Sequence, residues 1–131
     1  MKISEVSQKF GLSIQTLRYY ERLRLIPPVP RDADGFRDYR TSDLYWIHYV
    51  QALRRAGVAV QSIQEYVSLV PQGVATRDER KRILLAQRQK LLAQRALIDD
   101  ALAHMDHKLK VYDDYVVALE HNTQAPDDTA D

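Results

Sequence analysis

The chain has 131 residues, 45% hydrophobic and 28% charged, with a net charge of +1 and no cysteine. That length supports about one domain, and the composition is that of a folded protein. No apolar run reaches the ~20 residues needed to span a bilayer, the Met1-Lys2-Ile3-Ser4-Glu5 start lacks signal-peptide architecture, and the absence of thiols excludes disulfides, thiolate metal sites and thiol redox sensing, so a cytoplasmic protein with no membrane partner is expected.

Charge is uneven along the chain. Residues 1–40 hold eight Lys/Arg against five Asp/Glu, and residues 77–131 hold nine against eleven. The first predicted helix runs from about Ser4 to Phe10, with Ser4 as N-cap and Gly11 as terminator. Ser13 caps a second helix, Ile14 to about Arg24. Two helices joined by a tight glycine-containing turn form a helix-turn-helix pattern. Pro27, Pro28 and Pro30 then force an extended path.

Asp34-Gly35 is a hairpin signal, so residues 29–40 are predicted to form a small two-stranded wing. Alternation places Arg37 and Tyr39 on one face and Phe36 on the other. Thr41, Ser42 and Asp43 start a third helix, with Trp46, Tyr49, Val50 and Leu53 as its apolar stripe. Gly57 ends it. A shorter helix carries Ile63, Tyr66, Val67 and Val70. Ala59 is a poor cap for that helix, which predicts a frayed start.

Pro71-Gln72-Gly73 breaks the chain, and residues 71–76 read as a hinge. Thr76-Arg77-Asp78-Glu79 reads as a capping box. The pattern then continues without Gly or Pro over residues 77–121, or ~65 Å of helix. Leu84, Leu91, Ile98, Met105 and Tyr112 recur every seven residues, with Leu102, Leu109 and Val116 in companion positions. Such a stripe needs a partner helix, most simply from a second copy of the chain. Residues 122–131 are polar and acidic and are expected to be disordered.

The functional signal lies in the second helix. Gln15, Arg18, Tyr19 and Arg22 share one face that is polar, cationic and aromatic. Guanidinium and amide groups can pair with base edges, and phenols with phosphates. With Ser13, Thr16 and the wing residues Arg37, Tyr39 and Arg40, they form the candidate DNA-binding set. The segment Ser13 to Pro28 (SIQTLRYYERLRLIPP) resembles the signature of the MerR family. Gly35-Phe36-Arg37-Asp38-Tyr39 is similar to that family's wing motif, and Leu53-Arg54-Arg55-Ala56-Gly57 with Ile63 continues the match.

The resemblance implies a mainly α protein, with a winged helix-turn-helix domain over residues 1–70 and an antiparallel coiled-coil dimerisation helix over residues 77–121. It implies a homodimeric regulator on a pseudo-palindromic promoter, which distorts an overlong spacer for RNA polymerase holoenzyme. Residues Gln51 to Gly73 resemble the aldehyde- and thiol-stress branch, which commonly carries a cysteine where this chain has Ala52. The rival reading is a DNA-architectural, excisionase-like protein, and the long helix argues against it.

No cofactor, metal site or enzyme activity is expected. The sequence holds no nucleophile–base pairing, phosphate loop or carboxylate cluster. His104 and His107 have a spacing that can suit a metal, but two solvent-facing histidines are the expectation. Tyr45, Trp46, Tyr49 and Tyr66 are expected in a core or dimer contact rather than a ligand pocket. The sequence names no small-molecule effector.

Overall fold

The structure is a computed structural model that describes residues 1–121, so the tail expected to be disordered lies outside the described residues. The elements in chain order are α1 (Ile3–Phe10), α2 (Ile14–Arg22), α3 (Thr41–Arg55), α4 (Val60–Leu69), a 3₁₀ segment (Val70–Thr76) and α5 (Arg77–Glu120). The fold is mainly α, as the sequence implies, and no strand forms among the described residues.

The chain divides into two compact units, Met1–Arg88 and the part from Gln89 onward. The boundary between these units falls inside α5. The reason is local: the first turns of α5 belong to the N-terminal unit. Gln87 is buried there, and its side-chain amide donates to the Ser62 carbonyl on α4 at 2.9 Å.

Four helices and the loop after α2 close over one apolar core. Val6 of α1, Leu17 and Tyr20 of α2, Ile47 and Val50 of α3, and Ile63 and Val67 of α4 are buried together with Leu25, Ile26, Val29 and Tyr39. The α3 stripe is rotated from its predicted position. Asp43, Ile47, Val50 and Gln51 form the buried face, while Trp46, Tyr49 and Leu53 are half-buried. The buried Gln51 amide is satisfied by the Phe10 carbonyl at 2.9 Å, as a buried polar group requires.

Several caps differ from expectation. Helix α1 starts at Ile3, where the Glu5 carboxylate accepts the Lys2 N–H at 3.0 Å, so Ser4 lies within the helix rather than capping it. Its end is as predicted, with Gly11 at φ 63° in the left-handed region. Helix α4 forms from Val60 without a side-chain cap from Ala59. Burial of Ile63 and Val67 holds it instead. The capping box at Thr76 is absent. The Thr76 hydroxyl donates to the Leu69 carbonyl at 2.8 Å and lies 3.1 Å from the donating Nε of Arg80. The buried threonine thus closes the turn before α5, where Gly73 (φ 64°, ψ −136°) breaks the 3₁₀ segment.

In the second unit, α5 carries its apolar side chains into solvent. Ile98, Leu102, Met105, Leu109 and Tyr112 are all more than half exposed, Leu109 at 71%. Val116 is half-buried, as are Leu84 and Leu91 nearer the start of the helix.

Candidate nucleic-acid interface

Helix α2 is fixed from behind and open in front. Leu17 and Tyr20 anchor it in the core, and Ile14 is half-buried beside them. Its N-terminus is capped by Ser13, whose Oγ accepts the Thr16 N–H at 3.0 Å and lies 2.8 Å from the Thr16 hydroxyl. The two hydroxyls are therefore engaged with each other at the helix mouth. On the opposite face, Gln15, Arg18, Tyr19 and Arg22 are all exposed and with Thr16 line one shallow concavity. The Arg22 guanidinium carbon sits 5.7 Å from the centre of the Tyr19 ring, a cation–π contact that holds both groups ready. The four residues thus share one exposed face of α2.

The C-terminus of α2 is locked by a Schellman motif. The Leu25 N–H donates to the Tyr20 carbonyl at 2.9 Å and the Arg24 N–H to the Glu21 carbonyl at 3.0 Å. This geometry places the residue after the cap in the left-handed region, normally a glycine position. Here it is Arg24, at φ 57°, the one non-glycine residue with positive φ among the described residues.

The wing departs from prediction. Arg31 and Arg37 form a single antiparallel bridge in place of two strands. The Asp32 carboxylate takes the N–H groups of Asp34 at 2.9 Å and Phe36 at 3.0 Å, and prolines at 28 and 30 have no N–H to give. The wing is thus a side-chain-stapled turn. The predicted alternation holds, but the face with Arg37 and Tyr39 turns toward the protein. Arg37 Nε donates to Glu21 at 2.6 Å, and the second oxygen of that carboxylate takes the Val29 N–H at 2.9 Å.

Tyr39 is only 2% exposed, and its hydroxyl has no hydrogen-bond partner among the described residues. Burial raises its phenol pKa, while the nearby Arg37 charge acts in the opposite direction. In the structure, Arg37 and Tyr39 therefore attach the wing rather than presenting it, which corrects their expected place on the surface. Exposed instead are Phe36, at 69%, Arg31 and Arg40. Phe36 lies on the face opposite Arg37 and Tyr39, as alternation predicts, whereas Arg31, across the turn from Arg37, lies outside the expected DNA-binding set.

The C-terminus of α3 adds Arg54 and Arg55, both exposed. Their charges reach the Tyr20 phenol, whose pKa is raised mainly by burial and lowered in part by these two arginines. Trp46 packs edge-on against Tyr49 with ring centres 6.2 Å apart and against Tyr66 at 5.9 Å, while Tyr45 is exposed. Burial raises the Tyr49 phenol pKa, with Tyr66 and Tyr45 adding to it. On α5, His104 lies 3.6 Å from Asp100, both exposed, but His107 is half-buried with its Nε2 out of solvent, so the two are not both solvent-facing as expected. No cluster of three or more His, Asp or Glu able to hold a metal occurs among the described residues.

A small helix-turn-helix with a stapled wing and an open cationic helix face defines a class of regulatory DNA-binding fold. Residues 1–69 match the MerR HTH family of regulatory proteins, and the chain belongs to that family. It is 45% identical over 92 residues to the HTH-type transcriptional regulator AdhR of Bacillus subtilis, a match spanning 70% of this chain and 66% of that protein, just under two thirds of its length. A MerR family transcriptional regulator from Listeria monocytogenes is similar in structure, with a TM-score of 0.85 at 34% identity over 93% of this chain and 92% of that one. HiNmlR, a MerR family regulator lacking the sensor domain and solved bound to promoter DNA, gives a TM-score of 0.78 at 27% identity over 93% and 94% of the two chains.

Proposed function

We propose that the protein is a transcription regulator that binds a pseudo-palindromic promoter site as a homodimer. The observation that carries this reading is the α2 face: Gln15, Arg18, Tyr19 and Arg22 stand together in solvent on a helix whose back is locked into the core. A helix so presented fits a major groove, where arginine forks onto guanine and glutamine onto adenine. Ser13, Thr16, Arg31 and Arg40 lie where backbone contacts would be made, and such contacts set register rather than sequence.

The dimer rests on the exposed stripe of α5. Leu84, Leu91, Ile98, Leu102, Met105, Leu109, Tyr112 and Val116 form its seam with a second copy in an antiparallel coiled coil. Two copies related by a two-fold axis match a palindrome. HiNmlR is described as bound to promoter DNA, and the same kind of target is proposed for this chain. Activation would follow from distortion of the promoter spacer, a deformation on the order of 1–10 kcal/mol, so that RNA polymerase holoenzyme can engage. Such a protein works on DNA in the cytoplasm.

The test is footprinting of the full-length protein on the promoter beside its own gene, with affinity measured across a salt series. The expected result is two protected half-sites related by two-fold symmetry and a steep loss of affinity with salt. A single unsymmetrical footprint, or affinity independent of salt, would refute the reading.

A further inference from the structure

A cleft of about 720 Å³ lies behind the DNA-facing surface, walled by the end of α2, the proline turn and α4. Its size falls within the range of small-molecule sites. Ile26, Pro28, Val67 and Pro71 give it an apolar lining. Three charged residues line it, and two of them, Arg24 and Glu65, make no ion pair among the described residues. The third, Glu21, is already neutralised by Arg37. Among the described residues, the cleft therefore offers one unpaired cation and one unpaired anion around an apolar body.

Arg24 gives a second, independent indication. It occupies a left-handed position at φ 57°, where glycine avoids the strain. Backbone strain kept at one residue is a reason to look for work done by its side chain. Arg24 is one of the residues that line the cleft.

We propose that this cleft binds a dipeptide-sized zwitterion with an apolar body, its carboxylate on Arg24 and its ammonium on Glu65. The assignment deepens the proposed regulatory reading and rests on it only for its consequence. Glu21 is part of the cleft wall and also holds the wing through Arg37 and the proline turn through Val29. Gln64 of α4 donates to the Leu23 carbonyl at 2.6 Å, next to Arg24. A ligand seated here changes how the wing and α4 are tied to the recognition helix, and so changes DNA affinity.

The experiment is a titration of ¹⁵N-labelled full-length protein with leucyl-phenylalanine, followed by amide shifts in the absence of DNA. Saturable shifts are expected at the Val29 N–H and the Gln61 and Gln64 side-chain amides. Arg24→Gln and Glu65→Gln should each weaken the probe about tenfold, and N-acetyl-leucyl-phenylalaninamide, which has the same body and no charges, should not bind.

The proposal is overturned by no saturable shift at low-millimolar probe, by equal binding of the uncharged probe, or by unchanged affinity in both variants. In a parallel gel shift, saturating leucyl-phenylalanine should change operator affinity severalfold in the wild type and not in Arg24→Gln. Probe binding without any effect on operator affinity would overturn the regulatory consequence. Because the titration contains no DNA, failure of DNA binding leaves its result unaffected.

Discussion

Replacing Arg24 with glycine should stabilise the protein. An L-residue in the left-handed region costs roughly 1–2 kcal/mol through contact of its Cβ with the following carbonyl. Glycine removes that cost but gives the unfolded chain more freedom, a loss of roughly 0.5–1 kcal/mol. The Schellman hydrogen bonds from Leu25 and Arg24 use only backbone atoms and survive the change. Arg24 makes no ion pair whose loss would offset the gain among the described residues. The net expectation is a gain of about 0.5–1 kcal/mol, or several degrees in Tm for a unit of this size. Urea denaturation at matched protein concentration measures it, since the stability of a self-associating chain depends on concentration. Arg24→Ala keeps the Cβ and should gain little. If glycine and alanine variants unfold at the same midpoint, the strain assigned to this residue is wrong.

Other expectations follow from the same contacts. Arg18→Ala should weaken operator binding by ~1–3 kcal/mol and relax sequence preference in a gel shift, because Arg18 stands free on the α2 face. Glu21→Gln should keep the Val29 hydrogen bond but lose the charge partner of Arg37, which costs about 1–2 kcal/mol in denaturation. Tyr39→Phe should be neutral or stabilising near pH 7, because it removes a buried hydroxyl that has no hydrogen-bond partner among the described residues. Its pH signature has a definite sign. The folded-state pKa lies above the unfolded value of about 10, so its contribution is intact below that pH and is lost as pH rises through the folded value. The phenylalanine variant should therefore show a weaker alkaline loss of stability.

The exposed face of α2 and the buried face of α4 were legible in the sequence because both rest on helical period. Gln15, Arg18, Tyr19 and Arg22 fall on one helical face whatever surrounds them, and Ser13 caps that helix as read. What the sequence hid were contacts made across the fold. Alternation grouped Arg37 with Tyr39 correctly, but only the packing of the wing on α2 reveals that this face looks inward, toward Glu21. Thr76 has a capping pattern, yet the turn at Gly73 offers its hydroxyl carbonyl partners and removes it from the cap. The Arg24 conformation follows from where α2 ends, two residues earlier than periodicity predicts. A helix boundary is the weakest sequence inference, and a single shifted boundary was enough to hide the strained residue.

The two units place different demands on the same chain. The N-terminal unit closes its own core. The α5 helix beyond Arg88 exposes Ile98, Leu102, Met105 and Leu109, and most helix stability in proteins comes from packing an apolar face rather than from propensity. On the proposed dimer, folding of that segment and pairing of two chains are one equilibrium. A truncation after Arg88 should keep the N-terminal core and sediment as a monomer, whereas truncation at Thr76 should also lose the Gln87–Ser62 tie and be less stable. A dimeric fragment ending at Arg88 would move the pairing surface into the N-terminal unit, and the exposed stripe on α5 would then need another explanation.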